Sequence, residues 1–232
     1  MPRLQTSTVS VPRAAGKGVM ESFFAQPAER GAALFPGVVV IHEIFGLNEN
    51  IRGIAARFAE QGYAALAVDL FSNRNRAICM MQLIHGMLIR PLNNSMLSDL
   101  RSTIAFLQKQ SGVDANRMGV VGFCMGGAFA LQLAVTDKGM KAASAFYGAV
   151  PKPLEAFTQS CPILGSYPVK DFSAAGAHEL DAALEKYSIP HDIKFYENTL
   201  HSFFNHPRTP IEEQAAQDAW QRMLAFFERH LN

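Results

Sequence analysis

No stretch of this sequence reaches the ~18 consecutive apolar residues of a membrane span. Its first residues, Met1 to Ser10, lack the unbroken apolar core of a signal peptide. These absences predict a cytoplasmic protein with no membrane partner. Charge of either sign is also not in excess: 21 basic residues stand against 20 acidic ones, without a basic block, which argues against a nucleic-acid partner. Cysteine is scarce. Cys79, Cys124 and Cys161 are odd in number and show no C-x-x-C spacing, so they read as free thiols in a reducing compartment rather than a disulfide framework. Internal repeats and low-complexity tracts are lacking too, which excludes solenoids and arrays.

What remains is 232 residues with 49% hydrophobic content, enough for one sizeable core and one α/β domain spanning residues 1–232. Thr6 to Val11 and Met20 to Ala25 alternate loosely, as edge strands do. Gly37 to Ile41 is a β-branched run that predicts an interior strand buried on both faces. Asn50 to Gln61 carries Ile51, Ile54, Ala55 and Phe58 at helical spacing, and Tyr63 to Val68 is the next strand. Strand, helix and strand in that order mark a crossover unit of a parallel sheet. Asp69 to Arg76 is a polar exit loop.

Ala77 to Leu92 has a helical face of Met80, Leu83, Ile84, Met87 and Leu88, interrupted by Gly86 and stopped by Pro91. Two readings fit it, a core helix and a lid whose methionines line an adaptable wall. A firmer helix follows, with Leu97, Leu100, Ile104 and Leu107 inward and Ser95 as its expected cap. Further strands are expected at Met118–Phe123, Ala142–Tyr147, Cys161–Leu164 and His191–Tyr196, with a turn at Gly165-Ser166-Tyr167-Pro168. Helical spacing returns at Ala177, Leu180, Leu184 and Tyr187, and a last helix runs from about Glu212 to Arg229, with Ala216, Trp220, Met223 and Phe227 inward. The pattern predicts a doubly wound sheet of about seven or eight mostly parallel strands with helices on both faces.

The chemistry concentrates around Cys124. In Val121-Gly122-Phe123-Cys124-Met125-Gly126-Gly127, a short buried strand meets a helix of small residues, and glycines stand two positions either side of the cysteine. Such a G-x-C-x-G junction turns the chain sharply and projects the side chain beside the helix's first N–H groups. Those groups favour negative charge, and the Met125 N–H is placed to stabilise an oxyanion. The plainer reading, a small buried residue before a helix, leaves three glycines among six residues unexplained. A thiol nucleophile also needs a base and a group that orients it. His201 follows the last strand in a polar loop, and Asp171 follows the strand before it; nucleophile, acid, histidine is the chain order of an α/β-hydrolase. The other histidines fit surface or packing roles better. A metal held by His42, Glu43 and His201 is disfavoured, because there is no H-E-x-x-H and the elbow would have no purpose.

Val38 to Asn48 (V-V-V-I-H-E-I-F-G-L-N), Val121 to Ala128 (V-G-F-C-M-G-G-A), Lys170-Asp171 and His201-Ser202-Phe203 together resemble the dienelactone hydrolase family, across nearly the full chain. The resemblance implies an α/β-hydrolase fold and a catalytic triad of Cys124, Asp171 and His201. It also implies oxyanion-hole N–H groups at Ile44 and Met125, and a Glu43 that contacts the resting thiol and moves away when substrate arrives. Family members hold a substrate carboxylate with arginines, one of them four residues after the histidine, where this chain has Asn205. Arg74, Arg76 and Arg208 are the candidates to replace it. The expected activity is opening of a small lactone or enol ester such as dienelactone through an acyl-enzyme, by a monomer that needs no metal, nucleotide or organic cofactor. Hydrolysis of another small ester by the same triad, or a binding or regulatory protein that has lost turnover, are the alternatives.

Overall fold

The apolar runs separate into eight strands because β-branched and small residues alternate with helical stretches at crossover spacing, and the computed structural model bears this out for the residues it describes, 3–14, 18–29, 33–72 and 92–232. The strands are β1 (Leu4–Pro12), β2 (Val19–Pro27), β3 (Phe35–Ile41), β4 (Ala64–Val68), β5 (Val113–Phe123), β6 (Met140–Phe146), β7 (Ile163–Pro168) and β8 (His191–Tyr196). They form one mixed sheet in the order β1-β2-β4-β3-β5-β6-β7-β8. β1/β2 and β2/β4 are antiparallel, whereas β3/β4, β6/β7 and β7/β8 are parallel. Helices α1 (Glu49–Glu60), α2 (Ser95–Gln108), α3 (Met125–Thr136), α4 (Ala174–Lys186) and α5 (Pro210–Leu231) cover it on both faces, giving the α/β-hydrolase fold.

Three local expectations are corrected. β2 lies between β1 and β4, so only β1 of the first pair is an edge. The Gly165–Pro168 stretch is the body of β7 rather than a turn: a Cβ at Gly165 would meet Ile193 Cδ1 at 2.6 Å, so the glycine serves side-chain packing between strands. The cap of α2 is Asn94, whose Oδ1 accepts from the Leu97 N–H at 2.9 Å, and Ser95 is the first helical residue. The segment expected to be a lid or core helix, together with Arg74, Arg76 and Cys79, lies outside the described residues.

The chain divides into two compact units, residues 1–118 and 119–232. In the first, α1 and α2 pack on the sheet through Ile51, Ile54, Phe58, Leu97, Leu100 and Leu107, all buried. A buried ion pair ties its loops together. Arg13 Nη1 donates to Asp99 Oδ2 at 2.6 Å, while Nη2 donates to the Leu70 and Ser72 carbonyls at 3.2 and 2.8 Å. Every one of these acceptors would otherwise be a buried polar atom, which makes the pair a strap for the exit of β4.

In the second unit, α3 is apolar around its whole circumference, as expected of a helix buried in the interior. Phe123, Phe146 and Phe204 form a cluster in which each ring contacts the other two, and Trp220 packs against Phe204. That aromatic cluster ties the ends of β5 and β6 to the loop that carries His201. Among the described residues no helix is long and apolar enough to cross a membrane.

Candidate active site

Cys124 sits between the end of β5 and the start of α3 with φ 54° and ψ −113°, a conformation that L-residues adopt only where the surroundings enforce it. Glycine makes the turn possible. A Cβ at Gly122 would lie 1.9 Å from the Gly126 carbonyl oxygen, and one at Gly127 would lie 2.7 Å from the Phe146 carbonyl oxygen. The strand therefore runs directly against the first turn of the helix, and no side chain fits between them. Cys124 N–H donates to the Phe146 carbonyl at 3.0 Å, and its own carbonyl accepts from Ala128 N–H at 3.2 Å as the first bond of α3. Its side chain is half-buried at the helix's N-terminal end, where unpaired N–H groups and the helix dipole favour an anion.

Asp171 and His201 meet. His201 Nδ1 and Asp171 Oδ2 are 2.9 Å apart, with the carboxylate side chain 4% exposed and the imidazole 28% exposed. A carboxylate oxygen accepts here, so Nδ1–H is the donor and Nε2 is turned away from the acid. Asp171 is itself held: its Oδ1 accepts from Ser173 N–H at 2.9 Å and from Ser173 Oγ–H at 2.5 Å. Two rings bracket the imidazole, Tyr147 edge-on at 4.8 Å and Phe172 stacked at 4.9 Å. Tyr147 directly follows Phe146, the residue that accepts from Cys124, so the end of β6 and the residue after it touch both the Cys124 backbone and the His201 ring.

The loop that carries His201 is strapped by Glu212. This side chain, almost fully buried in the first turn of α5, accepts from Leu200 N–H at 2.8 Å and from Arg208 N–H at 2.7 Å, on either side of the histidine. Its backbone N–H is capped in turn by Thr209 Oγ1. Arg208 closes the same loop, with Nη1 donating to the His201 carbonyl at 3.2 Å and 3.6 Å from Glu212 Oε1, while its side chain stays 48% exposed. Asn205, four residues after His201, is 7% exposed, and among the described residues neither Oδ1 nor Nδ2 finds a hydrogen-bond partner.

Glu43 and Ile44 belong to the other unit, in the loop that leaves β3. Glu43 is buried and Ile44 is 38% exposed. The loop is held by His42, whose Nδ1 lies 2.5 Å from the Glu43 carbonyl and whose Nε2 accepts from Leu70 N–H at 3.1 Å. With both ring nitrogens turned to backbone, His42 is a brace and not a ligand. Among the described residues no group of three or more His, Cys, Asp or Glu is placed to hold a metal ion.

Ser173, Tyr147, Phe172 and Glu212 were not singled out in the sequence, although Ser173 stands two residues after an aspartate, the spacing of an Asx turn. Cys161, by contrast, has its thiol pushed up to about 12, chiefly by burial, which disfavours the thiolate at neutral pH.

Comparison with known proteins agrees with this architecture. A family model described as the dienelactone hydrolase family matches residues 20–231. A Yersinia pestis protein provisionally named carboxymethylenebutenolidase is 31% identical over 226 residues, covering 91% of this chain and 84% of the relative. Among solved structures, a provisionally named dienelactone hydrolase from Klebsiella pneumoniae superposes with a TM-score of 0.81 at 28% identity, covering 97% of this chain and 99% of that one. A dienelactone hydrolase-like promiscuous phosphotriesterase from metagenomic libraries shares the fold, with a TM-score of 0.84 at 22% identity over 99% of both chains. The chain belongs to the dienelactone hydrolase family, within the α/β-hydrolase superfamily, and membership supports carboxylic ester hydrolysis at the level of the family.

Proposed function

We propose that the protein is a cysteine-dependent hydrolase that opens a small lactone or enol ester through an acyl-enzyme. The observation that carries the reading is the Asp171–His201 hydrogen bond, with Asp171 fixed by Ser173, in the same unit as a cysteine held at a strained strand-to-helix turn. That combination supplies an oriented base and a nucleophile at a helix N-terminus.

In the proposed reaction His201 Nε2 takes the thiol proton as Cys124 attacks the ester carbonyl. The negative oxygen is stabilised by the N–H of Met125, the first residue of α3, and on the family's pattern by that of Ile44. The tetrahedral intermediate collapses as His201 returns the proton to the leaving alkoxide. Water, deprotonated by His201, then hydrolyses the thioester and restores the thiol. In a lactone the alkoxide and acid stay in one molecule, so the product is a ring-opened carboxylate. Glu43 takes the family's gating role, its carboxylate opposing a permanent charge on the resting sulfur until substrate displaces it.

For a carboxylated substrate, Arg208 is the candidate clamp among the described residues, since its half-exposed guanidinium is tethered at the His201 carbonyl. Arg74 and Arg76 stay proposed partners on sequence position alone. A second reading, a neutral small ester, is favoured by the uncharged amide of Asn205 and by Glu212 competing for the Arg208 charge. Assay against a panel of small activated esters and enol-lactones tests the proposal. Turnover should fall at least ~100-fold in Cys124→Ala and in His201→Ala. Undiminished turnover in these folded variants would rule the mechanism out.

A further inference from the structure

His201 lies beyond the C-terminal end of β8, and the opposite end of that strand opens on a separate recess of about 350 Å³. Residues 190–192 form one wall and the last turns of α5 the other. Pro190, Ala225 and Phe226 make its apolar side, while Arg222, Arg229, His191 and His230 face it with Asp192 as the one acid.

These charges do not cancel. Arg222 Nη2 donates to Asp192 Oδ1 at 2.6 Å, and Nη1 bonds the Tyr196 hydroxyl at 3.1 Å and Ser166 Oγ at 3.3 Å, so this pair is committed and neutral. His191 is engaged elsewhere, with Nδ1 2.6 Å from the Ile189 carbonyl and Nε2 3.4 and 3.9 Å from Asp181 and Glu185 of α4. Arg229 is different. Among the described residues no acid lies within ion-pair distance of it, and Glu228, one residue earlier, points to another side of the helix. Beside it His230 packs its ring 4.5 Å from that of Phe226. Burial and the Arg229 charge both hold the His230 imidazole below its ordinary pKa.

The carbonyl end of α5 offsets part of the Arg229 charge without pairing with it, and the guanidinium stays exposed at the rim of the recess. An uncommitted cation beside an apolar, aromatic surface matches a ligand with the same division. The geometry points to a second, non-catalytic binding site in this recess for a small organic monoanion with an apolar body, an aromatic carboxylate being the simplest case. The carboxylate sits against Arg229 and His230, and the ring covers Phe226, Ala225 and Pro190. Inorganic phosphate fits less well: it leaves the apolar wall uncovered and finds a single uncommitted guanidinium. The volume is at the lower end of small-molecule pockets, roughly 300–1,000 Å³, which suits one ring and one carboxylate.

This site is independent of the hydrolase chemistry proposed above, and the test separates the two. The full-length protein, with Cys124 alkylated to block the thiol centre, is titrated with benzoate while the His230 ring protons are followed by NMR, assigned with His230→Gln. A saturable shift is expected, with Kd of about a millimolar or tighter. Bound anion favours the charged imidazole, so the His230 titration midpoint moves up. Arg229→Gln should weaken binding about tenfold or more and leave ester hydrolysis unchanged in the unalkylated enzyme. Benzamide, which has the ring without the charge, should give no saturable shift. Absence of saturation with benzoate, equal binding of benzamide or of inorganic phosphate, or undiminished affinity in Arg229→Gln would each overturn the assignment.

Discussion

Ser173 Oγ donates to Asp171 Oδ1 at 2.5 Å while the other oxygen of the same carboxylate accepts from His201 Nδ1 at 2.9 Å, so the position of the imidazole is set by a serine that lies two residues from the acid. The backbone N–H of Ser173 supports the same oxygen. Removing the hydroxyl leaves one donor in place and frees the carboxylate to rotate about it. Ser173→Ala should therefore lower kcat about tenfold or somewhat more with KM nearly unchanged, near the lower end of what one charge-assisted hydrogen bond contributes. Ser173→Thr, which keeps the hydroxyl, should recover most of the loss. Steady-state kinetics on one activated ester compares the three, and a Thr variant as slow as the Ala variant would mean that packing, not the hydrogen bond, is responsible.

A second expectation concerns Glu212, the buried carboxylate that accepts from Leu200 N–H and Arg208 N–H. In Glu212→Ala both amides lose their acceptor, at a cost of roughly 3 kcal/mol if the loop cannot rewet them. Urea midpoints measure the loss. Hydrogen exchange gives the local readout: Leu200 and Arg208 amides should lose protection more than amides of β6 or β7. Uniform loss across the second unit would point to global destabilisation alone.

How much of this was readable beforehand follows from what kind of interaction is involved. The elbow was legible because its requirement is local: the chain reverses within five residues, and Gly122 and Gly127 are demanded by backbone approaching backbone. Asp171 and His201 were legible from chain order, since each follows a parallel strand and so emerges at one edge of the sheet. Ser173, Tyr147 and Glu212 were not, because a serine, a tyrosine and a glutamate are ordinary at their positions until tertiary folding brings a particular atom within reach. The misreading of Gly165–Pro168 has the same origin. Glycine and proline there satisfy packing against Ile193 and the end of a strand, which composition alone cannot tell from a turn. Asn94 and Ser95 are both good caps in isolation, and only the hydrogen bond to Leu97 decides between them.

Alkaline conditions should destabilise the fold through buried acids. The Cys161 thiol is pushed from 9.0 up to about 12 by burial, and the hydroxyls of Tyr167 and Tyr196 are raised by burial as well, with Asp218 adding to the rise at Tyr196. For each, the unfolded chain releases its proton at lower pH than the native one. The unfolded state then binds fewer protons, so stability declines as pH rises, starting near pH 9 for Cys161. Each unit of separation corresponds to about 1.4 kcal/mol at full effect. Urea midpoints for wild type and Cys161→Ala should run parallel below pH 8.5 and converge above it, because the variant lacks one of the three titrating groups. Parallel curves to pH 10.5 would mean that the thiol does not contribute.

On the proposed function, Arg208 is where selectivity for substrate charge is tested. Its guanidinium stays close to the base through the His201 carbonyl and remains half exposed, while Glu212 lies 3.6 Å away and partly balances its charge. If it holds a substrate carboxylate, Arg208→Met removes a charge-assisted contact from anionic substrates alone, a loss of ~2 kcal/mol or roughly thirtyfold in kcat/KM. Met preserves much of the length and apolar stem, which limits disturbance of the loop. A neutral ester of similar size reports that residual disturbance, and its kcat/KM should fall no more than about threefold. The comparison of a dienelactone with the neutral ester therefore isolates recognition from positioning, since only recognition distinguishes them. Equal losses on both would identify Arg208 as a brace for the His201 loop, and would favour a neutral ester as the substrate. Equal losses combined with a selective effect of Arg74→Met or Arg76→Met would instead transfer the clamp to one of those two arginines. In either case the predictions for Cys124 and His201 are tested separately, because in the proposed reaction the activation of water by His201 does not depend on how the substrate's distal charge is held.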